Sequence, residues 1–502
     1  MARAQRATSA APRSGRLRKR FLVGLACLPL VAATSADTNP GRGREARRIH
    51  LADVDAALRD RLPADAQNPD RFAAFVQSLE AATVAREREG EYEHLVYYLL
   101  QSRRFTDEPP IEPALSAYEM FRALSAEDRE RLLAKGGADL PHRPDLPRPV
   151  LRRTADLVKA LEGDRADIRL TYFRRLLATE GMASAPAFDR LRDAYIRAMR
   201  FLYRKEFAAR DVKDPQQLEA FLASLYQGRG HSTDTQVEAN FAVHTALSVI
   251  RAYGEQHVDR VLVVGPGLDF APRTDLIDVF EPQSYQPFAV ADALLALQLA
   301  DPQALRVHSV DINARVLEYL GGLPHLGPTR LQVLSGVTER PDRPFTPEYR
   351  AYFEALGRNI GQEAPLALPP DWPRHLGKAL HVRPDIAGRI TAGRLNIVTE
   401  RYDPSPEYDL VVVTNVFSYF DPAEQVLALS NIDAMLREGG YLIHNQPQTS
   451  LIDAAGRIGL ALADARTVLL APHEQAPLFD RIVIHRKAVH PAEGRRTQVS
   501  TH

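Results

Sequence analysis

The stretch VLVVGPGLDF, Val261–Phe270, begins with four apolar β-formers, turns on Gly265-Pro266-Gly267 and then meets an acid. A continuous apolar run of this kind reads as a strand buried on both faces, as in a parallel sheet. Glycine after such a strand permits unusual φ and lets backbone approach another group with no Cβ in the way. In open α/β sheets, ligands sit beyond the carboxyl ends of the strands, at the point where strand order reverses. The turn therefore predicts a ligand site.

From Val261 onward, strand-like and helix-like segments alternate. The expected strands are Arg260–Val264, Leu305–Val310, Arg394–Val398, Tyr408–Val413, Tyr441–His444, Arg466–Leu470 and Arg481–His485. The last two lack an intervening helix and suit an antiparallel edge. The pattern predicts an α/β, doubly wound, Rossmann-like sheet of seven mostly parallel strands. A helix is expected from about Thr235, where Thr235 and Glu238 have capping-box spacing and Val237, Phe241 and Ile250 form an apolar stripe.

Upstream, apolar residues three and four apart, such as Phe72, Phe75 and Leu79 or Leu191, Tyr195, Met199 and Leu202, predict an all-α region. Proline-rich breaks at Pro109-Pro110 and between Pro141 and Pro149 divide its helices. The expected organisation is a leader over 1–36, a linker over 37–50 and a helical accessory domain over 51–227. An α/β sheet domain over 228–490 and a frayed tail over 491–502 complete it.

At 502 residues the chain exceeds what one hydrophobic core usually serves. Basic and acidic residues balance at 64 each, so no global field favours nucleic acid or an anionic membrane. Cys27, the sole cysteine, lies in the N-terminal apolar stretch, so a chain cleaved after it has no disulfide, thiolate metal site or cysteine nucleophile. No metal ligand set is expected.

The leader has three parts. Arg13, Arg16, Arg18, Lys19 and Arg20 are basic, Phe21–Val31 is a short apolar core, and Ala33–Ala36 offers small residues for cleavage before Asp37. That predicts export to the periplasm or beyond. An uncleaved leader would instead anchor the chain to a membrane, and a misassigned start would leave it cytoplasmic.

The ligand can be narrowed from residues alone. Phe270 occupies the position of the third glycine in the dinucleotide fingerprint, which disfavours a nicotinamide or flavin cofactor. The second strand ends at Asp311, where a carboxylate can accept hydrogen bonds from both ribose hydroxyls of an adenosine ligand or cap the helix that follows. Asp269 has the same two readings, facing a ligand amine or capping. Gly228–Thr233 is either a source of backbone donors to a cofactor carboxylate or a plain linker.

VLVVGPG, VHSVDINARVLEYL, EYDLVVVTNVFSYFDPAEQ and LREGGYLIHN, with the final strand pair, together resemble class I S-adenosylmethionine-dependent methyltransferases over roughly Gln236–Lys487, about half of the chain. The fourth-strand segment is also similar to that of chemotaxis-receptor methyltransferases, where an asparagine follows the strand and an aromatic pair comes next. The resemblance implies S-adenosylmethionine as cofactor, with Gly265, Pro266 and Gly267 at its methionine end. It places Asp311 and Ile312 at the ribose, Asp269 close by, and Asn415 near the reactive methyl.

Asn415, Tyr419 and His444 are the candidate helpers in catalysis, His444 as a base or as a hydrogen-bonded sheet-end histidine. The chain departs from the family pattern in Asp269, which replaces the usual third glycine. It departs again in insertions over 270–290 and 337–388, the latter containing Trp372. The expected activity is methyl transfer to a small-molecule or protein acceptor. The alternatives are a non-catalytic S-adenosylmethionine-binding domain and, less favoured, a nicotinamide-dependent oxidoreductase.

Overall fold

The protein is described from a computed structural model, over residues 45–489 apart from 136–143, 164–166, 179–183, 256, 271–276, 279, 324–328, 367–374, 404–407 and 474–476. The leader, the start of the expected linker, Trp372 and the expected tail lie outside the described residues.

Seven strands form the central sheet: β1 (Arg260–Val264), β2 (Arg306–Asp311), β3 (Ile390–Arg394), β4 (Tyr408–Val413), β5 (Leu436–His444), β6 (Leu460–Ala471) and β7 (Leu478–Lys487). Their spatial order is β3-β2-β1-β4-β5-β7-β6. β1 to β5 pair in parallel, and β7 runs antiparallel between β5 and β6. The order reverses between β1 and β4, so a crevice opens there beyond the strand ends. β1 and β4 are apolar at nearly every position because helices and loops cover both faces.

Alternate residues of each strand supply two cores. Val261, Val263, Val307, Leu410 and Val412 face one core, with helices Val237–Ala252 and Gln286–Ala296. Leu262, Val264, Val310, Val411 and Val413 face the other, with helix Pro422–Met435. This is the period-two alternation of a strand buried on both sides.

The third strand is shifted from its expected place. It spans Ile390–Arg394, and the apolar run expected as strand, Leu395–Val398, is the buried loop that leaves it. Leu395, Ile397 and Val398 pack into the second core, which gives the loop the apolar content of a strand. Before β3 a separate antiparallel sheet joins Gly361–Ala364 and Gly377–Val382 of the insertion to Arg330–Leu334 just ahead of it, with Gly377–Val382 in the middle.

The all-α reading of 51–227 holds from Pro69 onward, with short 3₁₀ turns before it. The described residues of this region and of the sheet fall in one compact unit. Within the expected linker, Glu45–Arg48 is a strand paired antiparallel with Glu400–Asp403. The helix Pro69–Gln101, 33 residues long, serves two cores. Phe72, Val76 and Leu79 pack on the sheet, whereas Tyr92 to Leu100 sit among the other helices of the region. Apolar residues three and four apart record that a helix face is buried, not what buries it. At its end, Arg153 is fully buried and donates to the carbonyls of Leu99 (2.7 Å), Glu108 (2.5 Å), Pro109 (3.1 Å) and Ser102, closing the last turn.

Gly90 lies inside this helix, at an intrinsic cost of about 1 kcal/mol relative to alanine. The reason is a backbone crossing. A Cβ on Gly90 would sit 1.7 Å from the carbonyl oxygen of His231, and one on Gly230 would sit 2.3 Å from the Gly90 nitrogen. The His231 N–H donates to the Arg86 carbonyl at 2.8 Å across the same crossing.

Gly90→Ala should therefore destabilise the protein by about 1–3 kcal/mol or more, as overpacking against backbone does. Gly321→Ala should stay near neutral, because Gly321 lies in a helix with no atom within 4 Å of the added Cβ. Thermal melts of both variants test this, and equal melting temperatures would refute the crossing as a constraint.

Candidate active site

A cavity of about 790 Å³ lies at the carboxyl ends of β1, β2, β3 and β4. It falls toward the upper end of the ~300–1,000 Å³ usual for ligand pockets. Its walls come from the loops after these strands, from the long helix and from the segment Arg229–Gln236.

Gly265 and Gly267 adopt positive φ, 65° and 74°. A Cβ on Gly265 would lie 2.6 Å from the Val416 Cγ2, and one on Gly267 would lie 3.0 Å from the Thr233 carbonyl oxygen. The close approach that the sequence implied is thus made by the protein's own chain, which brings 233–235 and the loop after β4 onto the turn. Pro266 lies between them on the cavity wall. The backbone of Asp269 and Phe270 pairs in parallel with Asp234 and Thr235, while the side chain of Asp269 lies outside the described residues. The segment 228–236 is therefore not a plain linker, because seven of its nine residues, Arg229 and His231–Gln236, line the cavity.

Asp311 ends β2 on the cavity wall, with Ile312 and Asn313 beside it. Its carboxylate accepts the Asn313 N–H at 2.8 Å, with the N–H groups of Ile312 and Gly267 also directed to it. Burial raises its pKa to about 6 against these hydrogen bonds, and the negative charge of Glu91 adds to the rise. Asp311 is not the helix cap. That role belongs to Asn313, whose side chain accepts the Arg315 N–H at 2.9 Å at the start of helix Ala314–Gly322.

Asn415 follows β4 in the left-handed region, φ 59°. Two hydrogen bonds hold it there: its N–H donates to the Asn445 Oδ1 (2.9 Å), and the Asn445 Nδ2 donates to its Oδ1 (2.7 Å). Asparagine tolerates this conformation better than other non-glycine residues. Tyr419 lines the cavity between the rings of Tyr226 and His231, and burial lifts its phenol to about 12. The buried Arg229–Glu93 pair, 2.6 Å apart, lies behind it. Burial, with Arg86 nearby, pushes His231 down to about 3.

His444 does not line the cavity. It is fully buried and stacked on His485, with 3.0 Å between their Nε2 atoms. One tautomer set satisfies the chain of bonds. His485 Nδ1–H donates to the Leu460 carbonyl, His444 Nε2–H donates to His485, and His444 Nδ1 accepts the Gln446 N–H. Both rings are then neutral, and burial together with His485 keeps His444 well below the usual histidine range. The structure makes His444 the sheet-end histidine of the two sequence readings.

The sequence reading missed the long helix as a wall of the site. Thr83 and Glu87 line the cavity, and Glu91 accepts from the Asn313 Nδ2 (2.6 Å) and the Arg315 Nη2 (2.9 Å). The available signal was REREGEYEH, Arg86–His94, where glycine and dense charge interrupt an otherwise amphipathic helix. Asn396 after β3 was missed as well, through the shifted strand.

The set of residues fits an adenosine sulfonium. A main-chain-anchored carboxylate stands at the end of β2, a glycine turn at the end of β1 and an asparagine at the end of β4, all opening on one cavity. Residues 370–446, which run through β3, β4 and β5, match the family described as CheR methyltransferase, SAM binding domain.

No curated protein matches the chain. Among solved structures it is similar to the N-methyltransferase NodS from Bradyrhizobium japonicum WM9, at 11% identity over 49% of this chain and 95% of that one, with a TM-score of 0.25. It is also similar to magnesium protoporphyrin IX methyltransferase from Synechocystis PCC 6803, at 10% identity over 54% and 97%, with a TM-score of 0.26. For the 1,6-didemethyltoxoflavin-N1-methyltransferase of Burkholderia thailandensis the values are 13%, 50%, 80% and 0.23. Fold, site and family match define an S-adenosylmethionine-dependent methyltransferase. S-adenosylmethionine is its cofactor.

Asp311→Ala should weaken binding of S-adenosylhomocysteine by about 2–4 kcal/mol, the loss of two hydrogen bonds to a charged acceptor partly offset by water. Binding to the parent should also weaken as pH falls through about 6, where the Asp311 carboxylate takes up a proton and loses its accepting strength. Titration calorimetry at pH 8 and pH 5 checks both, and unchanged affinity in Asp311→Ala would remove Asp311 from the ribose site.

Proposed function

We propose that the chain methylates an acceptor carrying an anionic group, either a small molecule or a protein side chain that enters the cavity. The observation that supports this is a pair of cations on the cavity wall. Lys205 and Arg343 both line it, and neither has a carboxylate partner among the described residues. Among the described residues Lys205 is steadied by the rings of Tyr226 (5.3 Å) and Phe201 (5.9 Å), and the buried Arg343 Nε has no hydrogen-bond partner. A cation left in a partly desolvated cavity is costly until an anion meets it.

Bound S-adenosylmethionine supplies an electrophilic methyl on a sulfonium. The protein's task in such a displacement is chiefly to position and to exclude water. The polar residues on the wall agree with that division. Tyr419, its phenol at about 12, stays protonated and can donate a hydrogen bond to the acceptor. His231 at about 3 stays neutral and is too weak a base to carry a proton off at neutral pH. An acceptor that arrives already ionised needs no base. Asn415, pinned by Asn445, is the fixed polar group at the switch point.

Transfer of labelled methyl from S-adenosylmethionine to anionic small molecules and acidic peptides tests this reading. Lys205→Ala and Arg343→Gln should each raise the KM for the acceptor by about tenfold, the loss of one charge-assisted contact, while leaving S-adenosylhomocysteine affinity unchanged. Equal KM values in parent and variants would refute the anionic acceptor.

For location, we infer export from the leader over residues 1–36. N-terminal sequencing of the exported fraction should begin near Asp37, and an intact Met1 confined to the cytoplasmic fraction would overturn the inference.

A further inference from the structure

Thr83, Glu87 and Glu91 are four residues apart on the helix Pro69–Gln101, so they share one stripe of its surface. Both ends of the stripe are tied to loops that leave the sheet. The Asn396 Nδ2, after β3, donates to the Thr83 Oγ1 at 3.3 Å. The Asn313 Nδ2 and Arg315 Nη2, after β2, donate to Glu91 at 2.6 and 2.9 Å. Glu87 lies between these two anchors and therefore faces the gap between the loops after β2 and β3. It lines the cavity there, with Asp311 and Leu395–Ile397 on the other walls.

Unlike Glu91, Glu87 makes no hydrogen bond or ion pair with any described residue. The nearby cations are engaged elsewhere, Arg315 with Glu91 and Arg394 with Glu400. The other charges around it are the carboxylates of Glu91 and Asp311, which together with burial push Glu87 up to about 7. A half-buried carboxyl, aimed into a cavity and facing like charges, is a site short of a donor.

We propose that Glu87 is a second cofactor-binding carboxylate, closing on the adenosine half of S-adenosylmethionine from the helix side and accepting a hydrogen bond from it while Asp311 holds the ribose from the sheet side. This rests on the cofactor reading of the cavity and extends it. The adenosine would be clasped between the sheet and a helix that lies outside the methyltransferase core. Cofactor recognition then depends on the N-terminal region, which places that helix.

The test is titration calorimetry on the full chain with two probes. S-adenosylhomocysteine carries both halves of the cofactor, and 5′-methylthioadenosine lacks the amino-acid tail. Glu87→Ala should weaken both probes by about tenfold or more, as removal of one hydrogen bond to a charged acceptor does. Glu87→Gln, which keeps an acceptor oxygen, should recover part of the loss. The melting temperature of the ligand-free Glu87→Ala chain should be unchanged or higher, since an unpaired charge has been removed.

Affinities within twofold of the parent for both probes would overturn the proposal. So would a loss for S-adenosylhomocysteine alone, which would place Glu87 at the amino-acid tail. A parent chain that binds neither probe would overturn the cofactor reading itself, and is recognised because it fails before any substitution is made.

Discussion

The backbone crossing of Gly90 and Gly230 determines where every other wall of the cavity can stand. It lays the segment 228–236 directly on the long helix, closer than any side chain would allow. From there the segment runs over the first glycine turn, where Thr233 and Asp234 meet Gly267 and Asp234–Thr235 pairs with Asp269–Phe270. Three glycines in three parts of the chain are thus one packing constraint. The helix, the crossover segment and the end of β1 are locked as a unit, and the cavity is the space they leave against the loops after β2, β3 and β4.

Charge reinforces the same junction. Glu91 and Glu93, in the helical turn just after Gly90, are buried and paired with Arg315 and Arg229 respectively. Arg86 donates to the carbonyls of Arg229, Tyr226 and Tyr419. Buried pairs of this kind add little net stability, because desolvation offsets the attraction, but breaking one leaves an uncompensated charge. Their effect is to make one arrangement of helix, crossover and sheet loops far better than its neighbours. That suits a site whose chemistry depends on holding two reactants in line.

The histidines illustrate how position decides chemistry. His231 sits on the cavity wall but is kept neutral by burial beside Arg86, and His444 with His485 forms a closed, neutral pair inside the sheet. With Tyr419 held in its protonated form, the ionisable groups of the cavity wall include the carboxyls of Asp311 and Glu87, both raised by burial, and the cations Lys205 and Arg343.

The sequence by itself determined the sheet, the switch point and three of its markers. Apolar runs such as VLVV and YDLVVV suit strands buried on both faces, glycines at 265 and 267 allow the positive φ the turn needs, Asp311 ends its strand and Asn415 comes just after its own. These are local properties, set within a few residues by pleat, sterics and turn geometry. Tertiary structure alone decided the third strand, because LNIV has strand composition whether it pairs in a sheet or packs as a loop. It decided that the helical region is continuous with the sheet, since amphipathic spacing does not name its partner. It also separated His444 from the cavity and brought Glu87 to it, across more than two hundred residues from Asp311. No local pattern carries that information. It exists only once two glycines let a helix and a crossover touch.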